Sequence, residues 1–316
     1  MPKWLFYSVL ATLLWAIWGV IPKAASKALA DQPLLMQVIS TMGLLPVALT
    51  FASSKTLLAA SNLWRGIAFA FVAGLCGGIG NIALLESLKR GGAASIVLPL
   101  TGVYPLVTVL LAWIFLKEKL NAIQAVGICI AVVALYLFSV EENGALASQA
   151  VPWWRSVASA WLSFALLALL LYGIAGITQK LATTNISTAL STICFALAFL
   201  VVALLILFTQ ELDWNIRPGD WWTAILYGAV IGFAILAQFA AYSRGKAAII
   251  TALTALYPAI TVILAVAIFR ESLDLRKLVA IALSLAAGVA LSYETKPIPS
   301  KHEPAPAPTA AENEDS

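Results

Sequence analysis

The chain has 316 residues, of which 62% are hydrophobic and only 11% are charged. A soluble globular domain carries roughly 25% charged residues, so this chain cannot cover a water-facing surface, and its natural solvent is lipid. The net charge of +4 is small and scattered and does not indicate a nucleic-acid partner, and a single histidine, His302, excludes a histidine-based triad or zinc site.

Ten apolar segments are long enough to cross a bilayer, whose hydrocarbon core of about 30 Å needs about 20 helical residues. Their long unbroken apolar runs exclude a barrel, whose strands alternate apolar and polar residues. Most connections are short, so neighbouring helices are expected to run antiparallel. In chain order the segments are Trp4–Ile21, Pro33–Phe51, Gly66–Leu85, Ala93–Leu116, Ile123–Val140, Ala158–Thr178, Ile186–Thr209, Thr223–Tyr242, Ala247–Phe269 and Leu278–Tyr293.

The segments outside these spans have simpler interpretations. The N-terminus resembles a secretory signal with a cleavage site at Ala28–Ala30, but its apolar run is long and is followed by Lys23 and Lys27. Residues 141–156 form a polar linker, and the Pro-rich, acidic tail at 296–316 cannot bury enough apolar area to fold. The three cysteines lie inside apolar segments, which argues against a disulfide framework.

An internal repeat divides the chain into residues 1–140 and 157–295. Residues Gly92–Ala134 align without gaps with Gly245–Ala287, and both stretches carry a Tyr-Pro pair followed by a Glu thirteen residues after the proline. Upstream, Gly74 and Gly78 pair with Gly228 and Gly232. The sequence therefore predicts two copies of a five-helix unit.

A repeat with an odd number of spanning helices enters the membrane from opposite sides in its two copies. The predicted fold is an all-α polytopic membrane protein with ten transmembrane helices in two inverted five-helix repeats, an arrangement typical of secondary transporters. The positive-inside rule gives almost no preference for either orientation. Inverted copies place equivalent lysines and arginines on opposite membrane faces, so the two faces carry nearly equal numbers of them.

The repeated residues resemble the drug/metabolite transporter superfamily, specifically its EamA-like members. The resemblance covers nearly the whole chain and rests on the motifs at 14–19, 23–25 and 89–94, on Tyr104-Pro105, and on Glu118. The second copy repeats them at 172–180, 244–247, Tyr257-Pro258 and Glu271, but has Tyr172 in place of Trp15 and Gln179 in place of Pro22.

This resemblance implies a ten-helix inner-membrane transporter with both termini in the cytoplasm and without a cofactor. Many such proteins export amino acids or other metabolites. The related small multidrug-resistance proteins exchange protons for cationic drugs through a carboxylate in the middle of a helix. The first and sixth predicted helices here have none, so a neutral, zwitterionic or anionic metabolite is favoured.

The two Tyr-Pro pairs are the first candidates for a substrate path. A mid-helix proline removes a backbone hydrogen bond and bends the helix, so Pro105 and Pro258 are expected to expose carbonyl groups to a central cavity. Tyr104 and Tyr257 would then offer hydroxyls and aromatic faces to the substrate. The alternative is a packing kink in which each tyrosine bonds a neighbour.

One face of the first helix, and the equivalent face of the sixth, carries an aromatic residue and a lysine at helical spacing. Lys23 and Lys180 are interpreted either as a gate or anion contact, or as side chains that extend to the membrane surface. The path candidates on these helices are Trp15, Trp18 and Tyr172.

Other polar residues at membrane depth complete the candidate set. Asn81, Gln238 and Gln37 are amides that should face protein or water rather than lipid. Glu86 is a candidate for proton coupling, although Lys89 and Arg90 lie within pairing distance on the same helix.

The sequence thus favours a transporter, not an enzyme, that exports an amino acid or similar metabolite by alternating access. The expected partners are the lipid bilayer, a small-molecule substrate and, if transport is coupled, protons; a monomer or a homodimer would suffice. Alternatives are an uptake permease or flippase for a sugar or organic acid, and a membrane scaffold or sensor. An intramembrane enzyme would need clustered ionisable groups, which the sequence does not show.

Overall fold

The computed structural model describes residues 2–54, 57–104, 106–108, 110–111, 121–139, 160–242, 244, 254, 256–270, 275–291 and 293. Every named element within these ranges is a helix, and one of them, α2, is a single turn. The helices are α1 (Lys3–Ala24), α2 (Lys27–Ala30), α3 (Pro33–Leu49), α4 (Leu63–Lys89), α5 (Ala94–Thr101), α6 (Ala122–Ser139), α7 (Ala160–Thr183), α8 (Thr188–Thr209), α9 (Pro218–Tyr242), α10 (Tyr257–Phe269) and α11 (Leu275–Leu291).

The all-α multi-pass membrane fold predicted from the sequence is confirmed. Within the described ranges, five helices (α1, α4, α7, α8 and α9) are long and apolar enough to cross a bilayer, and five shorter apolar helices accompany them. The expected count of ten spans is compatible with this set. The linker and the tail lie outside the described residues, as do Pro105, Glu118 and Glu271.

Helix starts follow the capping residues in the sequence. The side chains of Asn62, Ser26 and Ser187 accept hydrogen bonds from main-chain N–H groups three residues later, at the starts of α4, α2 and α8. Such caps satisfy donors that have no partner within the helix. For this reason α4 begins at Leu63, three residues before the apolar run does.

The helices that carry the Tyr-Pro pairs are interrupted more sharply than the expected kink. Ala93–Leu116 was predicted as one helix, but α5 ends at Thr101 and Tyr104 lies in a turn. Pro258 was predicted at mid-helix, but α10 begins at Tyr257, so this proline occupies the first turn. Proline is well tolerated in the first turn of a helix, where its missing N–H would have no partner within the helix, so α10 can begin beside Pro258.

Packing between the two halves is reciprocal. Helix α4 packs on α7 while α9 packs on α1, α9 packs on α3 while α4 packs on α8, and α1 packs on α10 while α7 packs on α5. Each contact has a counterpart with the roles of the repeats exchanged, which is the signature of a two-fold relationship. The core therefore lies between the repeats and not within either one.

Repeated glycines permit the closest of these crossings. A Cβ on Gly228 would overlap the main-chain oxygen of Ser40 on α3, and a Cβ on Gly74 would lie 2.5 Å from the main-chain oxygen of Phe195 on α8. The two glycines are equivalent in the repeat. Small residues at such positions allow membrane helices to approach at backbone distance.

The halves also meet at two sets of loops. At one, the Asp220 carboxylate accepts hydrogen bonds from the Ser26 hydroxyl (2.6 Å) and the Ser26 N–H (3.1 Å), and Arg217 Nε lies 3.4 Å away. At the other, the Ser61 N–H donates to the Asn185 carbonyl (2.9 Å), and the Ser187 hydroxyl donates to the Leu57 carbonyl (2.8 Å). One contact is charged and the other is formed by neutral groups.

Candidate functional site

Aromatic side chains from four helices meet between the two repeats. Trp18 stacks on Tyr227 (ring centroids 5.9 Å apart, planes at 17°) and meets Trp15 and Tyr172 edge to face at 5.4 Å and 6.5 Å. The hydroxyls of Tyr172, Tyr227 and Tyr257 are close enough to interact electrostatically. We call these five side chains the aromatic cluster (Trp15, Trp18, Tyr172, Tyr227 and Tyr257).

A chain of buried polar side chains extends from this cluster. The Tyr227 hydroxyl donates to Asn81 Oδ1, and Asn81 Nδ2 donates to Gln37 Oε1 at 2.6 Å. Tyr227 and Gln37 are fully buried, and Asn81 is 2% exposed. These bonds join α9, α4 and α3, so the amides predicted as path residues hold Tyr227 against Trp18.

Gln238 orients the other tryptophan of the cluster. Trp15 Nε1 donates to Gln238 Oε1 at 2.8 Å, which links α1 to α9. Gln238 is 7% exposed, and a polar amide at this depth needs such a partner because lipid offers none. The bond fixes the indole plane of Trp15 beside Trp18.

Trp15 and Tyr172 are half-buried even though they face the interior of the bundle. The large exposed side chains of α1 are Phe6, Leu13 and Ile17, on the side opposite Trp15. On α7, Leu167 and Leu170 are exposed, and Tyr172 lies opposite them. The partly exposed side chains of Trp15 and Tyr172 therefore lie on the sides of α1 and α7 away from their most exposed apolar residues.

Three polar atoms in or next to the cluster are buried without a hydrogen-bond partner in the described structure. They are the hydroxyl oxygen of Tyr172, Nε1 of Trp18 and Nε2 of Gln37. Buried polar groups are normally paired, and an unpaired one is costly unless another molecule satisfies it. Gln37 Nε2 faces Gly78, where a Cβ would lie 3.7 Å from it.

The two repeated tyrosines occupy different surroundings. Tyr257 is 7% exposed and its hydroxyl is hydrogen-bonded to the side chain of Thr101. Tyr104 is half-buried beside α7, where a Cβ on Gly176 would lie 3.6 Å from its ring. Pro258 is buried next to Tyr257, and Pro105 lies outside the described residues.

The charged candidates lie away from the cluster. Lys23 is half-buried and Lys180 is exposed, each in the last turn of its helix. Each lies eight residues beyond an aromatic residue of the cluster, or about 12 Å along a helix axis. Glu86 accepts a hydrogen bond from Arg90 Nε at 2.8 Å, and Lys89 Nζ lies 3.9 Å away, so its nearest charged partners are on its own helix.

The comparison with known families decides the identity of this architecture. The model of the EamA-like transporter family matches twice, at residues 2–140 and 159–293. The chain belongs to the EamA-like transporter family. It is accordingly a multi-pass membrane transporter of small solutes, in contact with the lipid bilayer, and this family is generally not enzymatic.

The chain is also similar to a curated protein and to a solved structure. The uncharacterised protein MJ1333.1 of Methanocaldococcus jannaschii is 26% identical over 137 residues, which cover 43% of this chain and 98% of that protein. That relative is thus about as long as one repeat. A solved structure described only as the crystal structure of a protein is similar with a TM-score of 0.62 and 16% identity, over 90% of this chain and 94% of the other. This second likeness concerns the fold alone.

Sequence reasoning missed Tyr227, the most buried member of the aromatic cluster. A signal was present, because Tyr227 and Gln238 are eleven residues apart and so share one face of the transporter's helix α9. Tyrosine at membrane depth is less conspicuous than an amide, since its ring is itself apolar.

Proposed function

We propose that this EamA-like transporter moves a small metabolite by alternating access, along a path that runs between the repeats and past the aromatic cluster. The observation that carries the proposal is the half-burial of Trp15 and Tyr172 on the interior faces of α1 and α7. These two residues occupy equivalent positions of the two repeats. Partial exposure at this level supports a path where the halves meet, because inverted-repeat transporters bind substrate at the interface between their repeats.

The finer proposals rest on the resemblance and on the chemistry of the site. The substrate is a metabolite of about amino-acid size, export is its favoured direction, and the membrane is the inner membrane with both termini in the cytoplasm. The path residues are those of the aromatic cluster with Tyr104, Pro105, Pro258 and the three amides Asn81, Gln37 and Gln238. Lys23, Lys180 and Glu86 are the candidates for gating or charge contact.

Flux in proteoliposomes tests the proposal. The purified full chain is reconstituted, and uptake of radiolabelled amino acids, sugars and organic acids is measured against empty liposomes. We expect saturable flux of at least one solute, with counterflow when the same unlabelled solute is trapped inside. A sugar or organic acid as the preferred solute would favour the permease or flippase alternative, and no flux of any solute would favour a scaffold or sensor.

Energy coupling is tested in the same vesicles. Proton antiport predicts that an imposed pH gradient drives the solute above its equilibrium level, whereas facilitated diffusion predicts equilibration only. The Glu86→Gln variant then shows whether this carboxylate takes part, because its nearest charged partners, Lys89 and Arg90, remain in place. Gel filtration and light scattering of the purified protein distinguish a monomer from a homodimer.

A further inference from the structure

The chemistry of the central site is neutral throughout the part of the chain that the structure describes. The aromatic cluster offers indole and phenol rings, and the side chains bonded to it are the amides of Asn81 and Gln238 and the hydroxyl of Thr101. In the described parts of α1, α3, α4, α5, α7, α8, α9 and α10, every charged side chain lies within the first or last four residues of its helix. Among the residues that the structure describes, the site therefore offers aromatic faces and hydrogen-bonding groups and no charged side chain.

Three of the five cluster side chains have hydrogen-bond partners, and the buried Nε1 of Trp18 has none among the described residues. Tyr227 donates to Asn81, Trp15 donates to Gln238, and Tyr257 is bonded to Thr101. The hydroxyl of Tyr172 is buried and has no hydrogen-bond partner within the described ranges. It meets Trp18 edge to face and lies near the hydroxyls of Tyr227 and Tyr257. A solute that enters the cluster thus finds one free hydroxyl among rings that are already positioned.

A carboxylate at this position would be strongly disfavoured. Moving an ionised group into an apolar region without a partner costs far more than moving a neutral amide. The backbone positions of Lys23 and Lys180 lie about 12 Å along the helix axis from those of Trp15 and Tyr172, so neither lysine is next to the cluster in sequence position. An uncharged carbonyl oxygen needs only one donor, which the Tyr172 hydroxyl supplies.

We propose that the aromatic cluster binds a small, planar, uncharged solute whose carbonyl oxygen accepts a hydrogen bond from Tyr172, and that it discriminates against the same solute carrying a carboxylate. The proposal rests on the transport function proposed above and names its substrate class. Planarity is inferred from the flat indole and phenol rings that meet around Trp18, because aromatic faces pack best on a flat group. Among metabolites of amino-acid size, neutral amides and related carbonyl compounds fit this site better than free acids.

Matched pairs of solutes test the inference directly. Binding of benzamide and benzoate, nicotinamide and nicotinate, and indole-3-acetamide and indole-3-acetate is measured by calorimetry with the full chain in nanodiscs. Empty nanodiscs correct for partition into lipid. We expect the amide of at least one pair to bind ten or more times as tightly as its acid. Equal or tighter binding of the acids, or binding of none of the six, would overturn the proposal.

The Tyr172→Phe variant locates the effect, because it removes one hydroxyl and leaves the ring in place. It should weaken amide binding about three- to tenfold, the range expected for one hydrogen bond. The control is Tyr136→Phe, at a tyrosine that is 64% exposed on α6, which should bind like the unaltered protein. Equal loss in both variants, or none in Tyr172→Phe, would overturn the assignment to Tyr172.

Measuring flux as well as binding distinguishes a wrong substrate class from a wrong transport function. Saturable flux of a charged metabolite in proteoliposomes, with no amide binding, would overturn the substrate class and leave transport standing. Amide binding that depends on Tyr172, with no flux of any solute, would leave the binding site standing and overturn transport.

Discussion

The hydroxyl of Thr261 on α10 donates a hydrogen bond of 3.2 Å to the main-chain oxygen of Ala16 on α1. A Cβ on Gly19, one turn further along α1, would lie 2.8 Å from the methyl group of Thr261. The two helices therefore cross at backbone distance, next to Trp15 and Trp18. The contact is between the repeats, and it fixes where the aromatic side chains of α1 can lie.

An equivalent contact is formed with a threonine of the first repeat and a main-chain oxygen of the second. Thr108 donates to the main-chain oxygen of Gly173 on α7 at 2.9 Å, and a Cβ on Gly176 would lie 2.7 Å from the Thr108 hydroxyl. Thr108 and Thr261 occupy equivalent positions in the aligned repeats. Two such reciprocal contacts indicate a two-fold axis between the halves, and the five spans that the sequence predicts in each repeat would place that axis in the membrane plane.

Equivalent loops of the two repeats should therefore face opposite compartments. Single cysteines are introduced at Ser53, between α3 and α4, and at Asn215, between α8 and α9, after Cys76, Cys129 and Cys194 are replaced. Both positions are exposed. In intact cells a membrane-impermeant maleimide should label one position and reach the other only after permeabilisation. Labelling of both from the same side contradicts the inverted arrangement.

Close helix crossing predicts a large stability difference between two glycines of α9. Gly228→Ala places a methyl group on the main-chain oxygen of Ser40, whereas nothing lies within 4 Å of a Cβ on Gly219. Overpacking against backbone costs about 1–3 kcal/mol or more. We expect Gly228→Ala to lower the thermal unfolding temperature in detergent by several degrees, and Gly219→Ala to leave it unchanged. Equal effects would mean that α3 and α9 do not cross there.

The buried carboxylate at the start of α9 should contribute strongly to stability. Asp220 is 2% exposed and accepts two hydrogen bonds from Ser26, and bonds to a charged group contribute about 1.5–3 kcal/mol. Asp220→Ala should lower stability by about that amount in thermal unfolding. The matched control is Asp213→Ala, at an exposed carboxylate of the preceding loop that accepts from the Asn215 N–H, with little change expected.

The repeated tyrosines are expected to matter for transport. Tyr104→Ala or Tyr257→Ala should reduce solute flux about tenfold or more while leaving insertion intact, because each 1.4 kcal/mol of lost substrate contact is a factor of ten. Flux in proteoliposomes is compared with Tyr136→Ala, at an exposed tyrosine of α6. Unchanged flux in both path variants would remove these residues from the path.

Much of the fold was predictable because lipid imposes simple rules on sequence. Helices in lipid must satisfy their own backbone groups, so apolar length reveals spans such as α8, predicted at 186–209 and observed at Thr188–Thr209. The Tyr-Pro pairs were predicted less well. The repeated spacing showed that the prolines are equivalent. Whether a helix bends or breaks at a proline depends on which neighbouring groups can bond the main-chain carbonyl that loses its partner.

The sequence by itself determined the solvent, the helical class, the duplication and the family, because composition and repeat spacing are properties of the chain alone. Tertiary structure decided which polar groups meet: that Trp15 bonds Gln238, that Tyr227 joins Asn81 and Gln37, and that no described residue pairs with the Tyr172 hydroxyl. These side chains come from helices that are distant in sequence, and their contacts depend on how the two repeats cross. The repeat does not predict these contacts. With the offset of 154 residues that pairs Gly74 with Gly228, the residue equivalent to Tyr227 is Ala73, and the residue equivalent to Asn81 is Ile235.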